Sequence, residues 1–366
     1  MLSVNRERIF PWREAGEHMG KRRTVYDVAA AAGVSIATVS FAFTKPERVK
    51  RETLEMVLAT ADRLGYVPSA NARGLASGHT GALGLYAFDY LLEPEPGKPA
   101  TTPNARLFPL YSDEVQRGVQ LECRHRGYAL MLGAGRNPGH LPPVIDVAGR
   151  VDGLIAFAGA ASTDVLLQMS RRMPVLQLGG DTKHEGLHTI LVDGNQAMRN
   201  LTEHLLTVHG FRRFVYIGTE ATAEFVARYE GFAQTLAAAG VPVPPYTDSE
   251  PGDDASTEAV IGRAIASGAL PDVFVCASDQ EALVAIDLLT RAGHDVPGEV
   301  AVTGFDGILA GRLTHPQLTT VRQPMEEIGR AAVRILADII GGDDEADRYE
   351  VLRCSLSIGQ SCGCSR

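Results

Sequence analysis

The chain has 366 residues, 45% of them hydrophobic and 22% charged. That length favours two or three domains, and the composition excludes both a disordered tail protein and a disulfide mini-scaffold. The net charge of −9 is unevenly spread: residues 19–80 hold nine Lys/Arg and five Asp/Glu, net +4, whereas residues 81–366 hold 23 and 36, net −13. A small basic head on a large acidic body points to a polyanion partner for the head alone.

In chain order, residues 1–22 carry no periodic pattern and are predicted to be a disordered extension, with Met19 an alternative start to Met1. They hold no apolar run of signal-peptide length, and no stretch reaches the ~20 residues of a membrane span. Five scattered cysteines, Cys123, Cys276, Cys354, Cys362 and Cys364, suit a reducing, cytoplasmic setting. Cys362-Gly-Cys364 has metal-ligand spacing, but no second pair stands near it in the sequence. It is read as a terminal tail, and no metal or cofactor is expected.

From Thr24 to Leu64 the segments are short, helical and close together. Val25, Val28, Ala29 and Ala32 share one helical face. Gly33 supplies the positive φ of a tight turn, and Ser35 is placed to cap a second helix. Val34 and Val39 face back onto the first helix, leaving Ile36, Ala37, Ser40 and Phe41 outward. Free N–H groups at the second helix's start suit a phosphate, and its outward positions would meet base edges in a major groove. The alternative is a plain helical hairpin in a three-helix domain. Pro68 closes this region, since it disfavours helix at Val67, and Ser69–Ser77 reads as a further short helix stopped by Gly78.

Beyond Gly81 the texture becomes strand–helix repeats. Strands are predicted at Ala82–Phe88, Tyr128–Leu132, Val151–Phe157, Val175–Leu178 and Ile190–Val192, with a helix at Asp113–Arg126. The second half repeats the arrangement with strands Arg213–Ile217, Val273–Cys276 and Val300–Phe305. Its helices are Gln196–His209, Phe225–Ala239 and Gln280–Ala292. Short apolar runs alternating with helices predict two doubly wound parallel sheets with a ligand cleft at the strands' carboxyl ends.

At these residues the chain resembles the lactose/galactose repressor (LacI/GalR) family of bacterial transcriptional regulators. The resemblance covers Thr24 to about Cys362. Its head motifs are Tyr26-Asp27-Val28-Ala29, Ala32-Gly33-Val34-Ser35 and Thr38-Val39-Ser40, followed by Leu64-Gly65-Tyr66-Val67-Pro68 and Ala72-Arg73-Gly74-Leu75. Gly127-Tyr128, Asp152-Gly153, Gly304-Phe305-Asp306 and Val321-Arg322-Gln323-Pro324 match in the body.

The resemblance implies an α/β fold: an N-terminal helix-turn-helix head and hinge helix, then a two-lobed body like a periplasmic binding protein. The expected domains are a head at 23–68, a hinge helix at 69–79, a first lobe at 80–192 with 323–343, and a second lobe at 193–322 with 344–366. Thr24, Tyr26, Ser35, Thr38 and Ser40 would take phosphates, and Ile36, Ala37 and Phe41 would read bases. Many relatives carry Arg where Phe41 stands, so the guanine contact of that Arg is lost and apolar readout is expected. The hinge positions Asn71, Ala72, Arg73 and Leu75 would enter the minor groove, with Leu75 as a wedge between the central base pairs. The alternative is that Leu75 packs on the body.

In the body, Phe88, Asp89, Tyr111, Arg228, Ser278, Asp279 and Asp306 match positions that touch effector in relatives. Carboxylates facing an Arg would bind hydroxyls through charge-assisted hydrogen bonds. Each could instead be structural: Arg228 could pair with Glu224 or Glu230, and Asp306 could cap a helix. Two departures stand out. Ser278 replaces an Asn common in relatives, and the proline-rich loop Tyr90–Phe108 is long enough to cover the cleft.

No phosphate loop or catalytic triad is discernible, which argues against an enzyme. A secreted sugar receptor shares the body but not the basic head. The expectation is a homodimeric repressor on a pseudo-palindromic operator, switched by a small effector, with a sugar ahead of a nucleoside, and with no membrane association.

Overall fold

The computed structural model describes residues 23–67, 78–87, 110–134, 142–180, 183–218, 222–246, 254–343 and 348–365. Asn71, Ala72, Arg73, Leu75, Phe88, Asp89 and the Tyr90–Phe108 loop lie outside these residues. The chain divides into two units, Met1–Thr80 and Gly81–Arg366.

The head has three helices, α1 (Val25–Ala32), α2 (Ile36–Thr44) and α3 (Arg51–Leu64), with a 3-10 turn at Pro46–Arg48 before the third. Thr24 and Asp27 form a capping box at the start of α1: Asp27 Oδ2 accepts from the Thr24 N–H at 2.8 Å, and Thr24 Oγ1 accepts from the Asp27 N–H. Gly33, at φ +66°, closes α1, and the axes of α1 and α2 bend by 107° across it. Ser35 caps α2 by accepting from the Thr38 N–H at 3.1 Å. Val28, Ala29, Val39, Ala42, Val57 and Ala61 form the core, with Val25, Val34 and Leu54 against it. The helical spacing read from the sequence therefore buries one face and leaves Ile36, Ala37, Ser40 and Phe41 exposed.

The first lobe of the body contains β1 (Ala82–Ala87), α4 (Leu110–Arg126), β2 (Ala129–Ala134), α5 (Pro143–Ala148) and β3 (Gly153–Phe157). Then come α6 (Thr163–Ser170), β4 (Val175–Leu178) and β5 (His188–Val192). The second lobe begins with α7 (Gly194–Thr207), β6 (Phe214–Ile217), α8 (Ala223–Ala238), α9 (Asp254–Ser267), β7 (Val273–Cys276) and α10 (Asp279–Arg291). It continues with β8 (Ala301–Asp306), α11 (Leu309–Leu313) and β9 (Thr319–Arg322). The chain returns to the first lobe for α12 (Met325–Ile340) and β10 (Tyr349–Leu352), and ends in the second with β11 (Ser355–Ser357).

The first sheet is wholly parallel in the order β10-β5-β4-β3-β1-β2. The second runs β11-β9-β8-β7-β6, with only β11 antiparallel. Pairing of β10 with β5, Tyr349 against Thr189, corrects one expected boundary: the segment from 344 does not begin in the second lobe. Its alternation is weak because β10 is a half-exposed edge strand, so only its register reveals its lobe. The three crossings lie at Val192–Gly194, Arg322–Met325 and Leu352–Ser355.

Both lobes are built around close helix pairs. Gly118 on α4 and Gly329 on α12 stand where a Cβ would overlap the Glu326 and Val115 carbonyl oxygens of the facing helix. Arg126 reaches from α4 to Asp338 at 2.8 Å and also bonds Glu122, which lies beside Arg330 of α12. The apolar core of the first lobe includes Leu83, Val119, Ile155, Ala332 and Leu336. No single helix among the described residues is long and apolar enough to cross a membrane.

Candidate functional sites: the head surface and the inter-lobe cleft

Tyr26, Ile36 and Phe41 are large apolar side chains held in water at 67%, 43% and 38% exposure. The folding of the head does not require this: each sits on the face opposite Val28, Val39 and Ala42, which fill the core. Thr24, Ser35, Ala37 and Ser40 are exposed as well, whereas Thr38 is half-buried with its hydroxyl 2.9 Å from Ser35 Oγ. One neighbour carries no signal in the sequence. The Arg48 guanidinium stands 5.9 Å from the Phe41 ring centroid, restoring a cation beside a position that lacks one.

In the body, the carboxyl ends of both sheets face one another, and the expected effector residues separate into two groups. Arg228, on α8, lies at the floor. Its guanidinium stacks 3.9 Å from the Phe305 ring centroid and 4.8 Å from that of Phe225, donates to the Ala277 carbonyl oxygen, and lies 3.5 Å from Asp306 Oδ1. Its Nε is buried with no hydrogen-bond partner among the described residues. The alternative pairings of Arg228 with Glu224 or Glu230 are thus replaced by Asp306.

Asp306 ends β8 at φ +126°, a backbone conformation that costs about 1–3 kcal/mol in a non-glycine residue. Its Oδ1 accepts from Gln323 Nε2 at 2.7 Å, and Gln323 lies on the second crossing. Burial raises the pKa of Asp306, while the Arg228 charge and the Gln323 amide oppose that rise. Asp306 does not cap α11, whose N-cap is Ile308. Tyr111, in the first turn of α4, packs edge-on against Phe157 at 6.2 Å. Burial and the nearby Asp306 carboxylate raise its pKa, which keeps the phenol protonated and able to donate. Arg228, Asp306 and Tyr111 therefore share one electrostatic environment.

Ser278 and Asp279 differ from expectation. The Ser278 side chain accepts from the Glu281 N–H at 3.3 Å, and Glu281 Oε2 accepts from the Ser278 N–H at 2.9 Å, which closes a capping box on α10. Asp279 is fully buried. Its Oδ2 accepts from the N–H groups of Gly307 and Ile308 at 2.7 and 2.8 Å, and its Oδ1 from the Thr320 hydroxyl. Both oxygens thus tie α10 to the turn after β8 and to Thr320, and Ile308 of that turn plugs into the first lobe's core. A strand-end Asp in sequence looks the same whether it points outward or back into the fold.

Four further residues, none of them expected among the effector contacts, belong to this cleft. Gln323 holds Asp306, Phe305 carries Arg228, Cys354 lies on the third crossing, and Glu224 spans the lobes. Glu224 Oε1 accepts from the Gly180 N–H at 2.5 Å, and Glu114 Oε1 accepts from the Leu309 N–H at 3.3 Å. Burial raises the Cys354 thiol to about 12, so it is not a ready nucleophile.

Residues 24–69 match the family model described as bacterial regulatory proteins, lacI family, and residues 202–362 match a periplasmic binding protein-like domain. The HTH-type transcriptional repressor PurR of Pasteurella multocida (strain Pm70) is 30% identical over 92% of this chain and 98% of its own length. Catabolite control protein A of Staphylococcus aureus (strain Mu50 / ATCC 700699) is 27% identical, covering 86% and 91%. Among solved structures, the lac repressor dimer bound to operator and the anti-inducer ONPF superposes with a TM-score of 0.75 at 21% identity, over 93% of this chain and 99% of that one. The transcriptional regulator CelR–cellobiose complex superposes at 0.62 with 27% identity, over 93% and 100%. With an exposed helical head joined to a two-lobed body, and with relatives that are repressors rather than enzymes, the chain belongs to the lacI family of bacterial regulatory proteins and is a DNA-binding transcriptional repressor with an effector-binding domain.

Proposed function

We propose that the protein acts in the cytoplasm as a homodimer on a pseudo-palindromic operator, and that a sugar bound between the lobes switches it. The observation that carries the sugar reading is the Arg228–Asp306 pair. A guanidinium stacked on Phe305 meets a strained carboxylate, and the Tyr111 phenol lies within electrostatic reach of both. Ring hydroxyls each offer a donor and an acceptor, which a fixed carboxylate and guanidinium complement with charge-assisted hydrogen bonds. The CelR–cellobiose complex, at 27% identity, supports the same ligand class.

In this reading Ser35 and Thr24 bind phosphates, while Ile36, Ala37 and Phe41 read bases. Dimerisation follows from the short recognition helix, because α2 has nine residues and covers only a few base pairs. The effector acts by preferring one lobe arrangement, with a coupling of about 1–3 kcal/mol between effector and operator binding. Glu224–Gly180 and Glu114–Leu309 are the polar bonds that such a rearrangement would make or break.

The test has two arms. Selection of random DNA by the full-length protein should enrich a two-fold symmetric motif; an asymmetric motif would remove the dimer reading. Calorimetry against mono- and disaccharides and nucleosides should show binding by a sugar that also changes operator affinity. A response to nucleosides alone would overturn the sugar assignment.

A further inference from the structure

Four residues that the effector cleft does not use meet on the far side of the second lobe. They are His204 in the last turn of α7, His209 just beyond it, and Cys362 and Cys364 after β11. His204 lies about 16–17 Å along α7 from its cleft end at Asp193, by the rise of an α-helix. We propose that these side chains form a Cys2His2 site for a thiophilic divalent metal ion, zinc above all, which fastens the C-terminal tail to α7.

The geometry carries the assignment. One ligand atom from each residue lies within 4.8 Å of all the others. The separations are 3.7 Å from Cys362 Sγ to His204 Nε2, 3.6 Å from Cys364 Sγ to His204 Nε2, and 3.4 Å from Cys364 Sγ to His209 Nε2. A tetrahedral zinc with Zn–S of about 2.3 Å and Zn–N of about 2.0–2.1 Å has sulfur–nitrogen edges of about 3.6 Å. Thiol–imidazole hydrogen bonds account for the cluster less well. Both sulfurs approach the same His204 nitrogen, and both imidazoles approach the same Cys364 sulfur, whereas each thiol has a single proton to donate. One central cation satisfies all four groups together.

The surroundings hold the ligands in place. The Thr319 hydroxyl donates to Cys362 Sγ at 3.1 Å and accepts from the Gly359 N–H at 2.9 Å, a hydrogen-bond chain that orients a thiolate. Phe211 stacks on the His209 ring at 5.1 Å, and His204 meets that ring edge-on at 5.1 Å. Gly363, at φ +102°, makes the bend between the two cysteines. Four protein ligands leave no open position, so the site is structural, and two thiolates with two imidazoles select zinc over magnesium or calcium. No second ligand pair stands near Cys362 in the sequence. The second pair stands more than 150 residues earlier, and only the packing of the tail on α7 brings it there.

The test uses the untagged full-length chain, reduced and stripped of metal, titrated with cobalt(II). One equivalent per chain should give the intense visible bands of tetrahedral cobalt and a thiolate-to-cobalt charge-transfer band, both bleached by one equivalent of zinc. Zinc should also raise the melting temperature. C364S and H209Q should each weaken cobalt affinity at least 100-fold, C123A should leave it unchanged, and T319V should weaken it about tenfold or more. If C364S fails to fold, H209Q, altered at a half-buried ring, decides. Only octahedral cobalt in the wild-type chain, or the full tetrahedral spectrum in H209Q, would overturn the proposal.

Discussion

The Glu224 carboxylate, at the start of α8 in the second lobe, accepts a hydrogen bond from the Gly180 N–H, just beyond β4 in the first. It lies across the mouth of the cleft whose floor holds Arg228, one helical turn along α8 from Glu224. A charged acceptor spanning two bodies fixes their separation without filling the space between them. Hydrogen bonds to charged groups contribute about 1.5–3 kcal/mol. E224A should therefore lower effector affinity roughly tenfold or more by calorimetry while leaving the melting temperature within about two degrees, and E224Q should recover part of the loss. Equal effects on affinity and stability would mean that the bond serves folding rather than lobe closure.

Arg228 should tolerate no substitution. Its charge faces Asp306, its plane stacks on Phe305, and both would be lost in R228M, which leaves a buried carboxylate without its cation. Removing one partner of a buried ion pair costs about 3–5 kcal/mol. R228K keeps the charge without the stacked plane and should also lose effector binding. Urea melts of R228M, D306N and the double variant should reveal coupling: the double variant should be less destabilised than the sum of the singles.

Glu281 should make stability fall as the pH rises. It is buried in the capping box of α10, and burial raises its pKa to about 7, against which the Ser278 N–H and hydroxyl act only partly. The folded state therefore holds this proton more tightly than the unfolded chain. The stabilisation is complete below the unfolded value of about 4.5 and is lost as the pH climbs through about 7, a swing of up to about 3 kcal/mol. E281Q keeps the capping acceptor without the buried charge. Denaturation from pH 5 to 8 should show a flatter profile for E281Q and greater stability than wild type at pH 8.

The α4–α12 contact admits no side chain at its crossing. G118A or G329A would push a methyl group into a facing backbone carbonyl, so the helices must separate. Overpacking of this kind costs about 1–3 kcal/mol, read as a lower urea midpoint with an unchanged m-value.

On the head, Ser35 and Phe41 should fail in different ways. S35A removes an N-cap and the proposed phosphate contact, so operator and non-operator DNA should weaken together. F41R should shift the preferred half-site toward guanine at one position, with about 1–3 kcal/mol of discrimination. Fluorescence anisotropy on a set of singly substituted operators separates the two outcomes.

The sequence alone determined whatever depends on neighbours along the chain. Thr24, Gly33 and Ser35 declare the head because caps and turns are local, and Val28, Ala29 and Val39 declare its core through helical spacing. Short apolar runs between helices likewise made eight of the eleven described strands legible, with bounds within two residues, whereas β9, β10 and β11 carry no such run. The tertiary structure decided what depends on direction and on distant partners. Asp279 and Asp306 both stand at strand–helix junctions, yet one is used up by backbone N–H groups and the other meets Arg228. Tyr349–Leu352 reveals its lobe only by pairing with β5. Cys362 and Cys364 gain His204 and His209 only once the tail has folded over α7. Such sites are invisible to spacing because long-range packing, not local propensity, chooses which side chains converge.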